Sequence, residues 1–244
     1  MNATYLKFET LRLFRNKQNF IFSLIFPLVL FYVIVGTNKN APDVQGVKFA
    51  TYYMAGMIGF GAMGAVLAGG ARIAIERDVG WNRQLRITPL SPRNYFRIKL
   101  LTAYLMAVIS IVLIYAAGIS LGVHMPFGKW LEMSGLILIG LIPFAALGIM
   151  IGHLITGDAM GPAMGGGMSL FALLGGSWFP IGGDSGFMHE LVRLIPSFWL
   201  VQAGRSSVPG GQAWTVEGWI VVAVWAVLLT GGAVWAYRRD TERA

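Results

Sequence analysis

Residues 49–71 read Phe49-Ala50-Thr51-Tyr52-Tyr53-Met54-Ala55-Gly56-Met57-Ile58-Gly59-Phe60-Gly61-Ala62-Met63-Gly64-Ala65-Val66-Leu67-Ala68-Gly69-Gly70-Ala71, with no Asp, Glu, Lys or Arg. About 20 apolar residues in a helix cross the hydrocarbon core of a bilayer, and lipid leaves the backbone no water to bond. A run of this length without a polar face cannot be a surface helix of a soluble domain. It reads as a transmembrane helix, and it fixes the solvent in which the rest of the chain must fold.

The same pattern recurs on both sides. Leu100 to Phe127 and Ala159 to Gly183 are also free of charged residues. Only 12% of the 244 residues are charged and 56% are hydrophobic, with a mean hydropathy of +0.64. Soluble domains carry about 25% charged residues. The pattern predicts an all-α, polytopic membrane protein with six transmembrane helices, at about 20–36, 49–71, 100–123, 131–155, 159–181 and 218–237. Pro27 and Pro143 fall inside the first and fourth spans as expected kinks. Thirty-two glycines and eight tryptophans fit membrane helices and their interfaces. Residues 1–244 read as a single transmembrane domain, without a soluble second domain or an internal repeat.

Two features lie outside the spans. Residues 1–19 interleave Lys7, Arg12, Arg15 and Lys17 with Tyr5, Leu6, Phe8, Leu11, Leu13 and Phe14, a composition suited to an amphipathic helix at the membrane surface. Seventeen mostly polar residues ahead of the apolar run, with no small-residue cleavage site after it, argue for a retained first span over a cleaved signal peptide. Residues 182–213 place Phe187, Leu191, Leu194 and Phe198 at helical spacing, so one or two short helices are expected there, dipping into the outer interface.

Charge sets the orientation. Fourteen of the 19 Lys and Arg residues fall before the first span, in Arg72–Lys99 or in the tail; the other five are Lys39, Lys48, Lys129, Arg193 and Arg205. The positive-inside rule places both termini in the cytoplasm. The excess of positive charge flanks apolar spans and forms no stripe on a soluble face, so nucleic acid is not an expected partner.

The chemistry-bearing residues are sparse. There is no cysteine, hence no disulfide or thiol chemistry. His124, His153 and His189 have no partner at metal-ligand spacing, so no metal site and no catalytic site is expected. Gly128-Lys129 lacks the rest of a phosphate-binding loop. Glu76, Asp78 and Glu132 fall near span ends, and His153 and Asp158 near the wet inner ends of spans four and five. The reading therefore expects no buried carboxylate of the kind that couples transport to an ion gradient. Energy must come from another chain. Gly61, Ala65 and Gly69, and Gly157, Gly161 and Gly165, form small-residue rows that allow close backbone approach, within the bundle or across a dimer seam.

The segment Glu76-Arg77-Asp78-Val79-Gly80-Trp81-Asn82-Arg83-Gln84-Leu85-Arg86-Ile87-Thr88-Pro89-Leu90-Ser91-Pro92 joins the second and third spans. It is charged, has few apolar positions, and its two proline pairs stop a helix. Glu76-Arg77-acid-x-Gly80, then Gln84-Leu85 and Thr88-Pro89-Leu90-Ser91, resembles the signature of type-2 ABC exporter permeases. Ser177-Trp178-Phe179-Pro180 and Leu194-Ile195-Pro196 resemble the family pattern around its fifth helix and outer re-entrant helices, and the basic N-terminus resembles its connecting helix.

The resemblance implies six helices per subunit, a second permease subunit, identical or paralogous, and two copies of a cytoplasmic ABC ATPase. The ATPase would bind ATP and Mg; no cofactor would be held directly by this chain. It implies a coupling helix over Glu76–Leu85 within the segment 76–92, with Glu76, Arg77, Gly80, Arg83, Leu85, Arg86, Thr88 and Pro89 at the ATPase contact. The family commonly has Thr and Glu after the glycine where this chain has Trp81 and Arg83, so the expected partner is a dedicated ATPase with an acidic groove.

Phe22, Phe26, Met57, Phe60, Met63, Met164, Met168 and Phe171 are candidates for a substrate path, because flexible Met and aromatic rings suit an adaptable apolar surface; the same residues also pack ordinary cores. The reading expects efflux of a hydrophobic or amphiphilic compound (an antibiotic, drug, lipopeptide or lipid) across a bacterial plasma membrane. Export of a polysaccharide or lipid-linked glycan, or a non-transporting membrane sensor or scaffold, are the alternatives.

Overall fold

In the computed structural model, the described residues are 3–15, 20–81, 84, 91–180, 186–211 and 213–242. Ten α-helices follow one another among them: α1 Ala3–Arg15, α2 Phe26–Thr37, α3 Phe49–Asp78, α4 Pro92–Ser120, α5 Phe127–Gly140, α6 Ile142–Leu154, α7 Gly157–Leu174, α8 Phe187–Arg193, α9 Pro196–Ser206 and α10 Val216–Glu242. A five-residue π-helical turn, Ile21–Ile25, precedes α2. The β pairing among these residues is one isolated bridge between Val44 and Val47.

Four helical stretches are long and apolar enough to cross a membrane: Phe49–Asp78, Arg93–Ser120, Phe127–Leu154 and Val216–Asp240. A fifth, Ser23–Thr37, is apolar but shorter. This is a multi-pass membrane protein.

α3 is the axis of the bundle. It packs along α4 and α6 and also touches α2, α7 and α9. Every residue from Thr51 to Gly70 is buried, because the helix has neighbours all round it. Glycine makes this crowding possible at Gly70, where a Cβ would overlap the Gly148 carbonyl of α6. The row Gly61-Ala65-Gly69 serves the bundle interior, with Gly61 against Ser110 and Gly69 against Ala103, both on α4. The other row divides: Gly157 meets Asp78, while Gly161 and Gly165 face open space.

Proline punctuates the helices as expected. Phe26 N–H bonds to Ile21 O across the π-turn, and Pro27 follows at the start of α2. The wider turn absorbs the ring that an unbroken α-helix would reject. α5 and α6 are one stretch broken at Leu141, just before Pro143.

Several boundaries differ from the sequence reading. α3 runs on to Asp78 and α4 begins at Pro92, where Ser91 Oγ accepts from Asn94 N–H at 3.4 Å. The expected limits at 71 and 100 followed hydropathy alone. The charged turns stay helical because their charges neutralise one another, as described below. α7 ends early, at Leu174, where Gly175 and Gly176 turn the chain; Gly176 has φ +70, the left-handed conformation that glycine tolerates. The turn carries Ser177 O against Gly56 of α3. α10 extends to Glu242, past the expected limit of 237.

The segment 182–213 supplies α8 and α9. α9 is wedged into the bundle: Leu200 and Val201 lie against Gly59, and Leu200 also against Gly140 of α5. Arg205, 6% exposed, stacks its guanidinium 3.8 Å from the centroid of the Tyr52 ring and donates to Gly176 O at 2.5 Å. α9 thus sits at the Tyr52 end of α3, and the charged residues 72–78 sit at the other.

Candidate functional site

The last turns of α3 carry Arg72, Glu76, Arg77 and Asp78. The three consecutive residues Glu76, Arg77 and Asp78 point outward at about 100° intervals, as helix geometry requires, and each ties α3 to a different partner.

Glu76 is fully buried. Its Oε1 accepts from Lys99 Nζ of α4 at 2.5 Å and from Arg12 Nη1 of α1 at 2.7 Å. Its Oε2 accepts from Tyr95 O–H at 2.9 Å. Lys99, 2% exposed, also reaches Glu9 Oε1 of α1 at 2.5 Å. Arg72 lies one turn before Glu76 on the same helix face, 5% exposed, and its guanidinium nitrogens have no hydrogen-bond partner among the described residues. The coulombic pull of Glu9 and Glu76 acts on it instead. Two buried carboxylates therefore face two buried cations, Arg72 and Lys99, and a third, Arg12, that reaches in from the exposed side of α1. Burial strengthens such attractions and makes any unpaired charge costly.

The same carboxylates act on Tyr5 of α1. Burial, then the negative charges of Glu9 and Glu76, push its phenol pKa far above the ordinary value, so it stays protonated.

Arg77 turns toward the other side. Its Nη1 donates to Gly152 O at 3.0 Å and to Ile155 O at 3.3 Å. These carbonyls lie at the end of α6, where the helix leaves acceptors unpaired and its dipole favours a cation. Its Nη2 lies 2.8 Å from Asp240 Oδ1 of α10. Asp240 Oδ2 is 3.0 Å from His153 Nδ1. Asp78 Oδ2 accepts from Gly157 N–H at 2.5 Å, a capping bond for the start of α7 supplied from another helix.

The residues from 76 to 78 thus join α1, α4, α6, α7 and α10 at one end of the bundle. After them Gly80 turns the chain with φ +70, and Trp81 is 36% exposed. Of the expected ATPase-contact residues, Glu76, Arg77 and Gly80 are placed; Arg83, Leu85, Arg86, Thr88 and Pro89 lie outside the described residues.

Two expectations need correction. Glu76 lies near the end of its helix as expected, but α1 folds over it and Lys99 and Tyr95 reach it from α4, so a buried carboxylate does exist here. His153 is not at a wet helix end. It is 5% exposed and meets Asp240, because α10 lies along α6, while Asp158 is exposed. Glu9, Arg12, Lys99, Tyr95 and Asp240 went unnoticed as site residues. The Glu9-x-x-Arg12 spacing on one helix face was the only hint in the sequence.

The substrate-path candidates divide. Met57 and Met63 are 0% and 1% exposed and belong to the core. Phe26 and Phe60 stack edge to face at 6.1 Å, and Phe60 continues to Trp178 at 5.4 Å; Phe60 is buried and Phe26 is 38% exposed. Met168 packs on Gly64 and Phe171 on Phe144 at 5.4 Å, both with part of their surface open. The Phe22 side chain lies outside the described residues. Among the described residues no group of three or more His, Asp or Glu could hold a metal ion.

The family model described as "ABC-2 family transporter protein" matches residues 35–236, from the end of α2 to the last turns of α10. The chain is 31% identical over 209 residues, 84% of its own length and 84% of the relative's, to the Bacillus subtilis (strain 168) protein described as "Putative transport permease YvfS". No solved structure matches. The chain belongs to the ABC-2 transporter family, whose permeases are the membrane subunits of ABC transporters and not their nucleotide-binding ATPases.

Proposed function

We propose that the chain is the permease of an ATP-driven exporter that moves a hydrophobic or amphiphilic compound out of a bacterial cell. It crosses the plasma membrane six times, counting Ser23–Thr37 and α7 with the four long stretches, and both termini are cytoplasmic. Two ATPase subunits, which alone bind ATP and Mg, dock beneath two permease subunits, on the segment 76–92.

One observation carries this reading: the docking segment is anchored at both ends on the same buried ion pair. Glu76 opens it, Lys99 lies two turns of α4 beyond it, and their 2.5 Å contact also holds α1 through Glu9 and Arg12. A push on the segment would move α1, α3 and α4 as a unit, while Arg77 and Asp78 would carry the motion to α6, α7 and α10. Rigid elements joined this way transmit displacement. The cargo path is supported by the open surfaces of Phe26, Met168 and Phe171 on α2 and α7.

The test reconstitutes the permease with its ATPase in proteoliposomes. A hydrophobic cargo should stimulate ATP hydrolysis and be moved across the bilayer, and Arg83→Glu or Arg86→Glu should reduce ATPase co-purification. Unchanged co-purification and transport in both variants would overturn the docking assignment. Failure of every hydrophobic compound to stimulate or move would overturn the cargo assignment.

A further inference from the structure

The outward face of α1 mixes large apolar side chains with cations. Glu9 and Leu13 are buried on one side of the helix. On the opposite side Phe14, Lys7, Leu11, Arg15 and Phe8 follow one another across an arc of about 120°, and all five are exposed. Grouped exposed aromatic and aliphatic side chains mark a contact surface.

We propose that this face binds anionic phospholipids of the adjoining leaflet, with Phe8, Leu11 and Phe14 among the acyl chains and Lys7 and Arg15 at the headgroups.

The position of α1 puts the face at the edge of the hydrocarbon. Glu9 lies 2.5 Å from Lys99, the last charge before the uncharged run of α4. Leu100 and Leu101, which open that run, are exposed, and in a membrane protein they meet lipid. At its other end, the Phe14 ring lies 6.4 Å from that of Phe20, centroid to centroid. Ile21 and Ile25, just beyond, are exposed as well. The helix is thus level with the points where two apolar stretches begin. A soluble partner seated on it would have to cover these lipid-facing residues too.

Charge selects the lipid. Glu9 is the one acidic residue of the helix, and it is spent on Lys99 on the buried side. Lys7 and Arg15 therefore have no carboxylate beside them on α1. Arg12, at the margin of the face, donates Nη1 to Glu76 and keeps a half-exposed side chain. Long basic side chains lay their stems along apolar surface and lift the charge to the headgroups. Interfacial helices hold membranes by buried apolar area together with attraction to anionic lipid. Because Glu9 and Arg12 share the helix, lipid held outside steadies the contacts to Lys99 and Glu76 inside.

The experiment uses the full chain in nanodiscs. It has no native cysteine, so a nitroxide on Leu11→Cys, or on Phe14→Cys as a second position, is the sole label. Paramagnetic accessibility identifies what covers the face, and label mobility is followed as phosphatidylglycerol replaces phosphatidylcholine. The label should be more accessible to oxygen than to a water-soluble nickel chelate, and its mobility should fall saturably with phosphatidylglycerol. Inorganic phosphate should leave it unchanged. Lys7→Gln or Arg15→Gln should weaken the response about fivefold, the worth of one cation at an anionic surface. The double variant should lose it and keep the preference for oxygen.

Greater accessibility to the nickel chelate at both label positions would mean that the face turns to water or a soluble partner, and would overturn the proposal. So would a mobility indifferent to phosphatidylglycerol, or an undiminished response in the double variant. The measurement needs no ATPase and no transport, so its failure is distinct from failure of the export reading.

Discussion

Lys99 Nζ lies 2.5 Å from Glu76 Oε1, with both side chains buried. The contact joins α3 to α4 where both helices pass beyond the apolar part of their sequences. Removing one partner leaves the other charge buried without compensation, so Lys99→Met should destabilise the protein by about 3–5 kcal/mol. Glu76→Gln should cost at least as much, because the amide oxygen still accepts a hydrogen bond but the three cations Arg12, Arg72 and Lys99 would then face the single carboxylate of Glu9. Thermal unfolding in nanodiscs would measure both; a Lys99→Met variant as stable as the parent would refute the assignment.

Arg77 and Asp240 form a more exposed pair, 24% and 21% exposed. Water screens such pairs, and their net worth is about 0–1 kcal/mol. Asp240→Asn should therefore leave global stability nearly unchanged and loosen the end of α10 instead. Hydrogen exchange should accelerate at amides 236–242 and nowhere in α3. Protection unaltered in that stretch would show that another contact holds the helix end.

The four long apolar stretches were legible because hydropathy is a local signal, and proline marked the breaks at Pro27 and Pro143 for the same reason. The charged cluster was not legible. Glu9, Glu76 and Lys99 come from three helices, and no spacing along the chain records that α1 crosses α4. Hydropathy ended the second span at Ala71, and nothing in it records that compensation among charges lets the helix itself continue to Asp78. His153 was noticed, but its partner was not, because only the packing of α10 on α6 brings Asp240 to it.

Glycines in the same chain should behave oppositely. Gly70→Leu would drive a side chain into the Gly148 carbonyl and should cost about 3 kcal/mol or more, as overpacking does. Gly161→Ala meets nothing and should be neutral or stabilise by about 0.5–1 kcal/mol, because Ala is the better helix former. Gly165→Leu should leave unfolding of the single chain unaltered; if α7 faces the second permease subunit, co-purification of two differently tagged copies should fall. Equal destabilisation by all three would contradict the packing described.

Asp78→Ala removes the capping bond to Gly157 N–H. Loss of such a cap costs about 1 kcal/mol, and the effect should appear as faster exchange in the first turn of α7. Asp78→Asn should retain most of it, since an amide oxygen also accepts. A variant pair with equal exchange would place the constraint elsewhere.

Arg77 grips α6 by backbone oxygens, at Gly152 and Ile155. No substitution of the Ile155 side chain can withdraw a carbonyl, so that half of the contact constrains evolution on one side alone. Across diverged relatives position 155 should drift freely while position 77 remains basic, and correlated replacement should connect position 77 with 240. A mechanical link of this kind would be invisible to any search for co-varying pairs between α3 and α6, although it holds the two helices together.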